Sequence, residues 1–96
     1  MLADQIQTDL TAAMKARDEL RLSVLRMALA AIKEAKVSGD EVRELSDDEV
    51  IALLAKEAKR RDEAAEAFEQ GGRTESAARE RAERDVLAAY LPAPVS

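Results

Sequence analysis

The sequence contains neither cysteine nor histidine. These two absences exclude disulfides, thiol nucleophiles, Ser-His-Asp triads, zinc sites and haem-type ligation. They also exclude acid–base catalysis by imidazole. Any catalysis would have to use carboxylates, lysines, hydroxyls or the single tyrosine. We therefore predict that the chain holds no metal and no cofactor.

Aromatic residues are almost as scarce, because Phe68 and Tyr90 are the only two. Alanine is abundant instead, and alanine, glutamate, lysine, arginine and leucine together fill about 60% of the chain. This composition is typical of helices packed along their length. It argues against a β-sandwich or barrel, whose strands would need β-branched and aromatic residues in alternating runs.

The chain also lacks an excess of positive charge and a long apolar run. Its formal net charge is −5, which argues against a nucleic-acid binder that relies on bulk charge. No apolar segment approaches the ~18 residues that span a bilayer, and the early Asp4 and Asp9 exclude a signal peptide. We expect a cytoplasmic protein with no membrane partner.

The apolar pattern predicts two moderate helices in the first part of the chain. In residues 2–16, apolar residues recur every four positions and form one stripe: Leu2, Ile6, Leu10 and Met14. Asp18 is the predicted N-cap of a second helix, which should run to about Val37. Gly39 is the predicted stop signal, because glycine readily adopts the left-handed conformation that ends many helices.

A long helix and a shorter one follow, separated by a glycine turn. Ser46 and Glu49 have the spacing of a capping box and predict a helix from there to Gln70. Gly71–Gly72 ends this helix, and Thr74 is the predicted N-cap of a last helix of about 18 residues. The predicted inner face of the long helix comprises Val50, Leu54, Ala58, Ala65 and Phe68. On the last helix, Leu87 and Leu91 flank an apolar row that comprises Ala78, Ala82, Val86 and Ala89.

These elements predict an all-α, four-helix bundle-like domain over residues 1–92. Two moderate helices come first and a long helical hairpin follows, and short connections make sequential neighbours antiparallel. The longer connection is an acidic loop near 38–45. Residues 93–96 are predicted to be a linker or a truncated end.

The strongest candidate site is a basic cluster on the long helix. Lys56 and Arg60 are four positions apart and Lys59 is three positions from Lys56, so these side chains share a face. The full candidate nucleic-acid-binding set is Lys56, Lys59, Arg60, Arg61, Arg17, Arg21, Arg26 and Lys33. Phosphate contacts need lysine and arginine in a row. The alternative is a solvated face crossed by pairs such as Glu57–Arg61, and no aromatic residue lies near the cluster in sequence for base stacking.

Two other charged features have structural interpretations. Arg26 lies among apolar neighbours in VLRMALA, which predicts a partly buried ion pair with Asp62 or Glu57. Acidic residues cluster in two places, at 47–49 and at 63–69, but carboxylate metal sites in helical bundles also use histidine. We therefore predict that these acids hold no specific metal.

Five motifs stand in order along the chain: RLSVLRM, LSDDEV, KEAKRR, FEQGGR and YLP. The stretches that carry them, 14–37 and 45–92, resemble the first half of the YqeY-like proteins, and the resemblance covers nearly the whole chain. Members of that family have a second, smaller helical bundle after this one. The resemblance thus implies that the fold predicted here is the first half of a two-bundle architecture.

The resemblance also implies a class of function. YqeY-like proteins share a domain with the tail of the GatB subunit of the tRNA-dependent amidotransferase, where that domain contacts tRNA. This implies a non-catalytic RNA- or protein-binding module whose partner is tRNA or a component of tRNA amidation or translation.

Two alternative functions stay open. One is the amidotransferase-type activity of the family label, a carbon–nitrogen ligase with glutamine as amido-N-donor. The chain itself supplies no glutaminase nucleophile, so we expect no such catalysis from it alone. The other is a structural module that docks a protein partner through an exposed helix face, motivated by the broad apolar face of the second helix.

Overall fold

The computed structural model describes residues 1–39 and 43–92, and all regular secondary structure in those ranges is helical. The helices are α1 (Leu2–Ala16), α2 (Glu19–Lys36), α3 (Asp47–Gln70) and α4 (Thr74–Ala88). The predicted all-α fold of four helices is therefore confirmed. The predicted linker at 93–96 and the middle of the predicted acidic loop lie outside the described residues.

The chain forms two compact units, an N-terminal unit of Met1–Leu53 and a C-terminal unit that begins at Leu54. In the N-terminal unit α1 packs against α2, and the start of α1 and the end of α2 line one groove, so the pair is antiparallel. Met14 is 52% exposed, so its predicted place in the buried stripe is wrong: the neighbouring Ala13 is buried instead. The core of this unit comprises Ile6, Ala13, Val24, Leu25, Ala28, Ile32, Leu45 and Val50.

The turn between α1 and α2 depends on two adjacent residues. Arg17 has a left-handed conformation (φ 56°), and its N–H donates to the Met14 carbonyl at 3.2 Å. The Asp18 N–H donates to the Ala13 carbonyl at 3.0 Å, which completes a Schellman motif. The Asp18 carboxylate then accepts from the Arg21 N–H at 3.1 Å, so the predicted N-cap of α2 is confirmed.

The end of α2 differs from the prediction. The helix ends at Lys36. Gly39 is not left-handed; among the described residues, Gly72 is the glycine with a positive φ. Other groups bond the last carbonyls of α2 instead. The Val37 N–H donates to the Glu34 carbonyl at 3.2 Å, and the Ser38 hydroxyl donates to the Ala35 carbonyl at 3.0 Å. No left-handed residue is therefore needed to satisfy this helix end.

The start of α3 is the predicted capping box. The Glu49 N–H donates to the Ser46 hydroxyl at 3.2 Å, and the Ser46 N–H donates to the Glu49 carboxylate at 3.1 Å. Asp47, in the same turn, accepts from the Leu2 N–H at 2.9 Å. One carboxylate at the start of α3 thus satisfies a first-turn donor of α1, a contact that local sequence cannot predict.

A glycine turn joins α3 to α4 in the C-terminal unit. Gly72 is left-handed (φ 78°), and the Arg73 N–H donates to the Phe68 carbonyl at 2.8 Å. The Arg73 guanidinium also lies over the Phe68 ring, 5.2 Å from its centroid. Thr74 is the first helical residue and Arg73 is the N-cap, so the predicted N-cap was one residue too late, and α4 has 15 residues.

The core of the C-terminal unit is poor in large side chains. Its buried apolar residues are Leu54, Ala58, Ala65, Ala77, Val86 and Leu87. The inner face of α3 is as predicted, with Phe68 half-buried. The predicted apolar row on α4 is only partly buried: Val86 and the flanking Leu87 are buried, whereas Ala78 and Ala89 are exposed. Ala77, which is not in the row, is buried as well. Adjacent alanines at 77–78 and 88–89 leave the phase of this helix undetermined by sequence.

Candidate nucleic-acid interface

Three of the four clustered bases of α3 lie together at the surface. Lys56, Lys59 and Arg60 are all exposed, and their spacing of three and four positions places them on one face of the helix. We call these three residues the basic patch. Arg60 donates to the Glu57 carboxylate at 3.3 Å, and neither lysine forms an ion pair within the described part of its unit.

The fourth base, Arg61, is not part of this surface. Its exposure is 8%, and of the residues that the structure describes it is the charged one that is buried. Its guanidinium donates to the Glu57 carboxylate at 3.3 Å and lies 4.0 Å from the Glu83 carboxylate on α4. The prediction that Arg61 belongs to an RNA-facing cluster is wrong. One position beyond Arg60, a side chain points about 100° further round the helix, and here that direction leads into the core.

The four candidate bases of the N-terminal unit are spread along its surface. Arg17, Arg26 and Lys33 are exposed, and Arg21 is half-buried beside Asp18. Arg26 and Lys33 are two turns apart on α2 and point the same way. Arg21 lies in the first turn of α2 and Arg17 in the turn before that helix, so these four bases do not form one cluster.

The predicted partial burial of Arg26 is wrong, while its ion pair with Asp62 or Glu57 stays a prediction. Arg26 is exposed. Its two predicted partners bind other arginines within the C-terminal unit: Glu57 binds Arg60 and Arg61, and Asp62 binds Arg84 at 3.3 Å. The apolar neighbours of Arg26 in sequence belong to other faces of the same helix, and they do not bury it.

Ion pairs also tie α3 to α4 along the hairpin. Arg84 of α4 binds Asp62 of α3. Arg81, one turn before Arg84 on α4, binds Glu69 of α3. Arg61 and Glu83 form the third such pair. Because these residues come in antiparallel order, the predicted helical hairpin is confirmed. The described ranges contain no group of three acidic residues placed to hold a metal ion.

A charged pair that the sequence did not reveal stabilises the start of α3. Arg43 donates two hydrogen bonds to the Glu49 carboxylate, at 2.9 and 2.5 Å. The hydrogen bonds from Arg43 and, secondarily, from the Ser46 backbone lower the pKa of Glu49 from 4.5 to about 2. The same carboxylate raises the pKa of Arg43.

This pair predicts a pH dependence. The pKa of Glu49 is lower in the folded chain, so its ionised carboxylate contributes stability that is present above pH 4.5 and is lost as the pH falls toward 2. We expect Glu49→Gln to unfold at lower urea concentration than the wild type at neutral pH, and the difference to vanish near pH 2. The difference should be small, because the pair is exposed. Urea titrations followed by circular dichroism measure it, and a difference that grows on acidification would contradict the assignment.

The chain matches a family of proteins along almost its whole length. A scan against protein-family models matches residues 3–96 to the family described as Yqey-like protein. The chain belongs to this family. The resemblance expected from its motifs is thereby confirmed.

No curated protein matches the chain. Within the part of the chain that the structure describes, no helix is both long and apolar enough to cross a membrane.

Proposed function

We propose that this Yqey-like chain is a non-catalytic RNA-binding module whose partner is tRNA, and that the basic patch is its contact surface. The observation that carries the proposal is the exposure of Lys56, Lys59 and Arg60 on one face of α3. Phosphate oxygens are bound by such rows of cationic side chains. The implied relation of the family to a tRNA-contacting tail supports tRNA as the RNA.

The local charge supports a small contact surface rather than bulk attraction. The chain carries a net charge of −5, so only a discrete patch can attract a polyanion at short range, within about a Debye length of 10 Å. The two lysines of the patch can bind phosphates without breaking an ion pair within their unit. Arg60 already binds Glu57, so its guanidinium would have to contact that carboxylate and a phosphate together.

Amidotransferase-type catalysis has less support. The sequence has no cysteine and no histidine, and glutamine hydrolysis in amidotransferases needs an activated nucleophile. Ser46 is the N-cap of α3 and is bonded to the Glu49 N–H. The proposal therefore assigns binding to this chain and leaves carbon–nitrogen ligation to other proteins.

Docking of a protein through α2 is the second candidate and stays a prediction. Most of the broad apolar face of α2 is buried within the N-terminal unit, including Val24, Leu25 and Ile32. Met27, which is 40% exposed, is the large apolar side chain of α2 that remains at the surface. This is a small area for docking, so RNA binding ranks first.

The RNA proposal predicts the effect of reversing charge in the patch. At about 50 mM salt, we expect Lys56→Glu/Lys59→Glu to bind tRNA at least about tenfold more weakly than the wild type. The variant makes fewer phosphate contacts, so its binding releases fewer counterions from the RNA. Fluorescence anisotropy with labelled tRNA measures this affinity. The single variant Lys59→Glu should show a smaller loss of affinity than the double variant.

Lys15→Glu is the matched control for the single variant. Lys15 is also an exposed helical lysine, and its substitution changes the net charge by the same amount. We expect it to change the affinity by less than about threefold, because Lys15 is not a residue of the basic patch and its charge is screened by salt. Equal losses of affinity in Lys15→Glu and Lys59→Glu would show that binding depends on the net charge of the chain, and would rule out a specific patch.

A further inference from the structure

A groove of about 350 Å³ lies next to the basic patch, within the C-terminal unit. Its floor is apolar and comprises Ala55, Ala58, Ala88, Leu91 and Pro92. Its charged lining residues are Lys59, Asp62 and Arg84. Lys59 therefore belongs both to the patch and to the groove, so a ligand bound by the patch reaches the groove without crossing other surface.

The charges of the groove favour an anionic ligand. Arg84 and Asp62 neutralise each other within the lining of the groove, with Nε and Oδ1 3.3 Å apart. Arg84 also binds Asp85, which does not line the groove. Lys59 remains as the uncompensated charge of the lining, and Lys56 lies one turn before it on the same face. An apolar floor beside two lysines matches a ligand with a flat, weakly polar part next to a phosphate.

We propose that this groove receives one unpaired nucleotide, so that the RNA bound by the patch is single-stranded at the point of contact. This inference rests on the RNA-binding function proposed above and names the class of RNA. The base would lie on the floor formed by Leu91, Pro92 and the alanines, and its phosphates would face Lys59 and Lys56. The guanidinium of Arg84, held by Asp62, offers a planar surface on which a base can stack.

The physical reason for a single strand is the accessibility of the bases. In an A-form duplex the bases are stacked inside and only their edges are reachable, whereas unpaired bases in loops and ends can turn outward. Bases that leave a stack are commonly held between apolar side chains. A concave apolar floor gives no benefit to a duplex, which would contact the lysines alone.

The first experiment compares two RNA probes with the full chain. One is a labelled oligouridylate of about 12 nucleotides, within the usual length of a single-strand site. The other is the duplex of the same oligouridylate with oligoadenylate. At equal salt, we expect the single strand to bind at least about threefold more tightly, because only unpaired bases can enter the groove. Equal affinities, or a tighter duplex, would overturn the inference.

The second experiment fills the groove. Ala55 is exposed and lines the groove, and leucine is a good helix former, so Ala55→Leu narrows the groove without burying a polar group. We expect it to weaken single-strand binding by at least about threefold and to leave duplex binding unchanged, because a duplex does not place a base in the groove. Ala67→Leu is the matched control, because Ala67 is an exposed alanine of the same helix outside the groove.

The outcomes separate this inference from the function on which it rests. If Ala55→Leu and Ala67→Leu bind the single strand equally, the groove is not a nucleotide site, while a loss in Lys56→Glu/Lys59→Glu would still support the patch. If the wild type binds neither probe nor tRNA at about 50 mM salt, both proposals are wrong. Circular dichroism of each variant checks that its helices are intact.

Discussion

Replacing Arg61 by methionine is expected to lower the free energy of unfolding by about 3 kcal/mol. Arg61 is 8% exposed, and the side chains of Glu57 and Glu83 beside it are 19% and 14% exposed. Without the guanidinium, two partly buried carboxylates lose their shared cation. The expected loss lies at the lower end for a broken buried pair, because Arg60 and Arg79 still flank the two acids.

Urea denaturation of Arg61→Met measures this loss, and Arg79→Met is its matched control. Arg79 binds the same Glu83, but its side chain is 67% exposed, so its substitution should cost less than about 1 kcal/mol. Adding Glu57→Gln and Glu83→Gln to Arg61→Met should restore most of the stability, since no buried charge remains. Equal losses in Arg61→Met and Arg79→Met would contradict the buried position of Arg61.

Replacing Leu25 by alanine is expected to destabilise the N-terminal unit by about 3 kcal/mol. Leu25 is 0% exposed and is among the largest fully buried side chains of the described residues. Its removal leaves a cavity between helices whose other core residues include small alanines, which cannot move to fill it.

Leu29→Ala is the control for this substitution, because Leu29 is a half-buried leucine one turn further along α2. It should cost distinctly less, since part of its side chain already contacts water. Thermal or urea unfolding of the two variants makes the comparison. A loss in Leu29→Ala as large as that in Leu25→Ala would contradict the assigned core face of α2.

Features set by neighbouring residues could be predicted from the sequence. The Ser46–Glu49 capping box and the Asp18 N-cap each satisfy backbone donors within one turn, so residue type and spacing suffice to identify them. The left-handed Gly72 is predictable for the same reason. Gly39 was misassigned because a left-handed glycine is one of several ways to end a helix, and α2 uses others.

Features set by packing could be predicted only in part. Arg61 continues the spacing of the buried positions Ala58 and Ala65, so its position on the helix predicts burial. Its charge predicts exposure, and this led to the wrong assignment. The bond from the Leu2 N–H to Asp47 depends on a contact between elements that are far apart in sequence. The left-handed Arg17 could not be predicted because residues other than glycine rarely adopt that conformation. The groove beside Lys59 likewise exists only because α4 returns along α3.

The salt dependence of tRNA binding tests the central claim most directly. For a specific patch, the logarithm of the association constant should fall linearly with the logarithm of salt concentration, and Lys56→Glu/Lys59→Glu should reduce the slope by about two, one for each lost phosphate contact. An unchanged slope in this variant, or no binding by the wild type at about 50 mM salt, would contradict the claim that the patch binds RNA.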